Sequence, residues 1–141
     1  MPNQTSIMSW AFDVAARTLA QEVRGEPLVG QQSVAYVIKN RLASKRWGNS
    51  LATVCLWPYQ FSGWRGPQDP NFTYACTLPD NDATLDHMRS VLQVALDSLA
   101  DPTGGATHYY NSSIVIQPPA WVQGATLCGQ FGNQLFYKGV K

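Results

Sequence analysis

The chain has 141 residues, enough for a single domain with one hydrophobic core, and it is sparing with charge. Ten Lys and Arg nearly cancel nine Asp and Glu, leaving +1, which excludes the basic footprint of a nucleic-acid binder. No apolar run is long enough to span a bilayer, so membrane insertion is not expected, and the opening MPNQTSIMSW lacks the charged and apolar regions of a secretory leader.

A first helix is predicted from about Ser6 to Arg24. Ile7, Trp10, Ala11, Val14, Ala15 and Leu19 recur at helical spacing and mark its apolar face. Gly25 suits a left-handed C-cap, and Pro27 discourages continuation. A second helix is expected over Leu28 to Ser44, with Val34, Ala35, Val37, Ile38 and Leu42 buried. Asn49 or Ser50 suits the cap of a short helix through Leu56.

The segment from Trp57 to Asp80 is rich in Pro, Gly and aromatic residues and shows neither period. It reads as a long ordered loop. Asp82 then caps the clearest helix, ending near Ala100, with Leu85, Met88, Leu92, Ala95, Leu96 and Leu99 on one face. Beyond the turn DPTGGA the stretches THYYN, SIVI and QLFYK favour strands, and Thr126–Gln130 with Gln134–Lys138 form a hairpin around FGN. The sum is an α+β domain, mostly helical, with a small β portion late in the chain.

Candidate chemistry centres on AQEVRGEP, residues 20–27. Glu22 follows Val14, Ala15, Thr18 and Leu19 by eight, seven, four and three residues, so it shares their largely apolar side. Desolvation there raises a carboxyl pKa, and the unpaired carbonyls of a helix end disfavour an anion. Both effects favour the protonated form that a general acid needs. The competing reading is a solvent-facing helix-end glutamate paired with Arg17 or Arg24. Glu26 belongs to the turn and reads as structural, capping the next helix or holding Arg24 or Arg41.

Other chemistries find less support. Cys55, Cys76 and Cys128 lack CxxC spacing, which admits three free thiols or one disulfide and a spare, and Cys55 reads as a core thiol. His87 and His108 are far apart and suggest no zinc site; no metal or other cofactor is expected. There is no GxSxG nucleophile elbow and no glycine-rich phosphate loop.

The run ARTLAQEVRGEPLVGQQSVAYVIKNR, Ala16 to Arg41, resembles the opening motif of the spore-cortex-lytic (SleB-type) cell-wall hydrolases. Val23 stands where that family usually has Ala, and the following pair is Val34-Ala35. PYQFSGW at Pro58–Trp64, DPTGGATHYYN at Asp101–Asn111, an aromatic near Trp121 and LFYK at Leu135–Lys138 continue the likeness along nearly the whole chain. The resemblance implies a lysozyme-like α+β fold that cleaves peptidoglycan between N-acetylmuramic acid and N-acetylglucosamine, with Glu22 as the catalytic acid.

Pro58–Trp64 holds no acidic residue to serve as a second carboxylate, and the resemblance implies a single-acid lytic transglycosylase giving 1,6-anhydromuramoyl ends. A muramidase assisted by Asp69 or Glu26 is the alternative on the same bond. Tyr59, Gln60, Phe61 and Trp64, with Tyr109, Tyr110 and Asn111, are the expected walls of a sugar groove, although Phe61 and Tyr109 equally suit core packing. Arg24 and Arg41 are expected to anchor the motif by pairing with Glu26. The implied setting is a monomeric phage endolysin, held in the host cytoplasm until the inner membrane is permeabilised. A virion-borne or host-encoded enzyme, a peptidoglycan amidase and a non-catalytic glycan-binding module are the other readings.

Overall fold

The computed structural model describes the backbone of residues 4–141 and the side chains of residues 10–141, so the Ile7 side chain lies outside the described residues. The helices are α1 (Gln4–Val23), α2 (Leu28–Ser44), α3 (Leu51–Leu56), α4 (Pro70–Thr77) and α5 (Ala83–Asp97). Three strands follow, β1 (His108–Asn111), β2 (Thr126–Phe131) and β3 (Gln134–Lys138), in an antiparallel sheet of order β1-β3-β2.

α1 is the axis of the molecule. Ala15, Ala16, Thr18, Leu19 and Ala20 are all fully buried, because small side chains let α2, α3, α4 and α5 approach from several sides. Around it pack Val34, Val37 and Ile38 of α2, Val54 and Cys55 of α3, Met88 and Leu92 of α5, and Phe136 of β3. Trp10, at the expected apolar face, is instead 57 % exposed.

Charged side chains are few, and several of them close helix ends. Arg17 donates to the carbonyls of Ala75 and Leu78 at the end of α4, and Lys39 donates to Ala95 and Ser98 at the end of α5. Arg24 donates to Ala20 and Gln21, and the Gln31 amide donates to Val23 and Glu26. The end of α1 is therefore satisfied by side chains. Gly25 does not adopt the expected left-handed conformation; the chain turns through the Glu26 N–H donating to the Val23 carbonyl at 3.0 Å.

The stretch read as a loop contains a helix. Asp69 accepts from the Asn71 N–H at 2.8 Å and Pro70 occupies the first turn, so a cap and a helix-initiating proline begin α4. SIVI forms no strand: Ile114 is 75 % and Ile116 95 % exposed in the turn after β1. Asp82 caps α5 through the Leu85 N–H as expected, but α5 ends at Asp97 and Leu99 is wholly exposed.

The hairpin forms as expected, with Cys128 as the extra residue of a bulge between Leu127 and Gly129. Its turn is Gly132-Asn133, with positive φ at Gly132 (65°) only, the type II′ pattern. Glu26 grips this turn, accepting from the Asn133 backbone N–H and side-chain amide, both at 3.0 Å. A Cβ on Gly132 would sit 2.8 Å from the Glu26 Oε1, so glycine is required there twice over. This contact ties the sheet to the α1–α2 corner across 107 residues of chain.

Candidate active site

Glu22 occupies the last turn of α1, partly buried where α2, α3, β1 and the 3-10 turn Ser62–Trp64 converge. Each neighbouring element brings one group to it. β1 brings the Tyr109 hydroxyl and the 3-10 turn the Gly63 N–H up to the carboxyl, where both favour its charged form. α2 supplies the Arg41 guanidinium, and the loop before α4 places the charge of Asp69 within its influence. α3 contributes Cys55, whose thiol burial pushes up to about 12.

The carboxyl pKa is raised from 4.5 to about 7. Removal from water is the largest cause and the negative charge of Asp69 the next; Arg41, Tyr109 and the Gly63 N–H oppose them by favouring the anion. The helix-end carbonyls invoked from the sequence are instead occupied by Arg24 and Gln31. Burial rather than an open dipole holds the proton.

The floor under Glu22 is fixed by exact fits. Thr18 donates to Val14 at 2.7 Å and accepts from the Trp64 indole N–H at 2.9 Å, which anchors the 3-10 turn to α1. A Cβ on Gly63 would lie 2.6 Å from the buried Gln21 side chain, so any larger residue there would have to displace that side chain. Tyr109 stacks on Phe136 with ring centroids 5.5 Å apart, and burial pushes its phenol well above the ordinary range.

The expected groove residues divide. Phe61 is buried, its ring 5.3 Å from the Arg41 guanidinium, and Trp64 is half-buried against Phe72. Tyr59 is 85 % exposed and holds a left-handed backbone (φ 66°), an arrangement costly for a non-glycine residue. Gln60 is half-buried beside it. A hollow of about 310 Å³ opens here, lined by Leu56, Trp57, Tyr59, Phe61, Trp64 and Arg65.

Strand alternation separates Tyr109 from Tyr110. Tyr110 stacks on Tyr137 and meets Trp121 edge-on on the other face of the sheet. His108 lies between Trp47 and Trp121, and its pKa is lowered to about 4 by burial and then by Arg41 and Arg46. The Asn111 side chain accepts from the Ser113 N–H and shapes the next turn.

The arginine expectation is corrected. Glu26 is held by Asn133, Arg24 reaches Asn71 and lies over the Tyr74 ring, and neither Arg24 nor Arg41 pairs with Glu26. Arg17 pairs with Asp13 rather than Glu22. Gly63 and Cys55 were not singled out for the site from the sequence; their places depend on side chains from other elements. Among the described residues no group of three His, Cys, Asp or Glu side chains is placed to hold a metal ion, and no helix is long and apolar enough to cross a membrane. All three cysteines are free.

These features define an α+β domain built around one proton-holding carboxyl at a helix end. Residues 25–137 match the family model described as Cell Wall Hydrolase, well over half of the chain, and the protein belongs to that family. The match begins three residues after Glu22.

Among curated relatives, the spore cortex-lytic enzyme of Halalkalibacterium halodurans is 28 % identical over 127 residues, covering 89 % of this chain and 34 % of that protein. That of Bacillus subtilis is 29 % identical over 126 residues, covering 85 % and 36 %. The chain thus spans about a third of the length of these relatives.

The catalytic domain of the Bacillus cereus SleB protein superposes with a TM-score of 0.71 at 26 % identity, covering 91 % of this chain and 89 % of that one. The catalytic domain of the germination-specific lytic transglycosylase SleB from Bacillus anthracis gives 0.71 at 25 % identity, with 98 % and 100 % covered. The fold is therefore that of the SleB catalytic domain.

Proposed function

We propose that this chain cleaves peptidoglycan glycan strands between N-acetylmuramic acid and N-acetylglucosamine as a lytic transglycosylase, with Glu22 acting first as acid and then as base. The observation that carries the reading is the carboxyl of Glu22, whose pKa of about 7 leaves about half of it protonated at neutral pH. The likeness to a domain named as a lytic transglycosylase supports the same outcome.

In the first step the Glu22 O–H protonates the glycosidic oxygen, and the bond from that oxygen to C1 of the muramoyl sugar breaks through an oxocarbenium-like state. The C6 hydroxyl of the same sugar then bonds to C1, and the Glu22 carboxylate takes the hydroxyl proton. The products are a 1,6-anhydromuramoyl end and a free 4-hydroxyl on the other sugar; no water is consumed and Glu22 ends protonated. The Gly63 N–H and Tyr109 hydroxyl hold the carboxylate between the two proton transfers. Tyr59 and Trp64, which line the hollow, and Gln60, next to Tyr59 in the chain, are the side chains that would seat the strand.

Hydrolysis of the same bond is the second reading, and Asp69 favours it as a further carboxylate whose charge acts on Glu22. Glu26 has no such part, because both its oxygens hold Asn133.

The test compares wild type with Glu22→Gln on purified peptidoglycan, with folding matched by circular dichroism. The proposal expects clearing by wild type and a loss of at least about a hundredfold in the variant. Equal clearing by both would remove Glu22 from the chemistry. Failure of either to clear would favour a glycan-binding module. The setting in phage-induced lysis belongs to the same proposal and rests on the sequence reading. It expects cells carrying the protein in the cytosol to lyse only when the inner membrane is permeabilised; lysis without that treatment contradicts it.

A further inference from the structure

Arg41 is the one buried cation of the site, and its role follows from where its donors go. Only 4 % of the residue is exposed. Its Nε donates to the Thr107 carbonyl at 2.7 Å, fixing the guanidinium at the start of the sheet. Trp47 and Phe61 lie on it with centroids 4.8 and 5.3 Å from Cζ, giving it an aromatic envelope. Yet Nη1 is buried and has no hydrogen-bond partner. An unpartnered donor on a buried cation is costly, and in native structures such a group marks a catalytic role, a bound water or an ion.

We propose that Arg41 is a positioning residue for the reaction, whose Nη1 donates to the Glu22 carboxylate whenever Glu22 has given up its proton. The inference rests on Glu22 as the acid of the proposed function. A desolvated carboxyl with no nearby cation would keep its proton and be a poor donor; one with a permanent strong partner would never hold a proton at all. A guanidinium fixed elsewhere by Thr107, with one donor in reserve, meets both needs. The pair forms as the glycosidic oxygen takes the proton and dissolves as the sugar C6 hydroxyl returns one.

The charged and titratable groups facing this pair are Asp69 before α4, Tyr109 and His108 of β1, Cys55 of α3 and Arg46 after α2. Asp69 opposes ionisation of Glu22, while Arg41 and the Tyr109 hydroxyl favour it. Arg46 pushes against the Arg41 charge, and Glu22, Tyr109 and Cys55 favour it.

Two measurements test this. In wild type, the Arg41 side-chain 15N–1H signals followed by NMR should titrate with the Glu22 midpoint near pH 7, and Glu22→Gln should abolish that titration. A flat Arg41 signal in wild type overturns the proposal without requiring any variant of Arg41. In the pH profile of kcat/KM, Arg41→Met should move the midpoint upward and lower kcat at least tenfold at pH 6 with KM within threefold, while Arg41→Lys should restore the midpoint. An unmoved midpoint in folded Arg41→Met, or a loss confined to KM, overturns it and makes Nη1 a substrate donor instead. If Glu22→Gln is itself fully active, the underlying function reading has failed, a result separate from either of these.

Discussion

At the residue scale the two glutamates of AQEVRGEP have opposite environments four positions apart. Glu22 meets one phenol, one backbone N–H and a buried guanidinium inside an apolar shell; Glu26 meets an amide at the surface of a hairpin turn. Because the free enzyme must hold the Glu22 proton, kcat/KM should be level below about pH 7 and fall tenfold per pH unit above it. Asp69→Asn keeps the α4 cap and removes a negative charge that raises the Glu22 pKa, so the midpoint should drop below that of wild type. Lytic chemistry expects this variant to stay within about threefold of wild type at pH 6. A hydrolase using Asp69 as base or nucleophile expects a loss of about a hundredfold or more.

At the element scale, the site exists because α2, α3, β1 and the 3-10 turn each bring one group to the end of α1, and Glu26 pins the hairpin to the neighbouring α1–α2 corner. Glu26→Ala should destabilise the fold by about 1–2 kcal/mol in urea unfolding, since it removes the acceptors of two hydrogen bonds. Activity per folded molecule should hardly change. A collapse of kcat with unchanged stability would move Glu26 into the chemistry.

Much of the element order was legible in the sequence for local reasons. α2 has the expected bounds, Asp82 and Ser50 cap α5 and α3, and glycine at the FGN turn marks the hairpin. α4 was hidden because one turn of Asp-Pro capping signal sits inside a run of Pro, Gly and aromatic residues. SIVI has strand composition but finds no neighbouring edge. For the site, helical phase put Glu22 on the apolar side of α1, where burial raises its pKa, but the Arg41–Thr107 and Glu26–Asn133 contacts span 66 and 107 residues. No local spacing encodes such contacts. Gly63 carried no signal either, because the side chain that crowds it, Gln21, belongs to α1.

At the scale of the whole molecule, a buried acid costs stability in a definite pH window. Glu22 in the folded chain titrates near 7 against an ordinary value of 4.5, so folding takes up a proton between those values. The resulting stabilisation relative to the ionised state is complete below about pH 4.5 and is lost as pH rises through 7. Glu22→Gln removes this dependence. It should be more stable than wild type at pH 8, by about 3 kcal/mol at most, and gain little at pH 4.5. Thermal unfolding at the two pH values checks this, and an equal gain at both would show that Glu22 is not held protonated by burial.

Mass spectrometry of the soluble products from purified peptidoglycan, digested in 18O-labelled water, tests the central claim most directly. Lytic cleavage with Glu22 as sole acid and base predicts muramoyl ends lighter by one water than a reducing end and free of 18O. Reducing muramoyl ends carrying 18O, or freed peptides beside intact glycan strands, would contradict it.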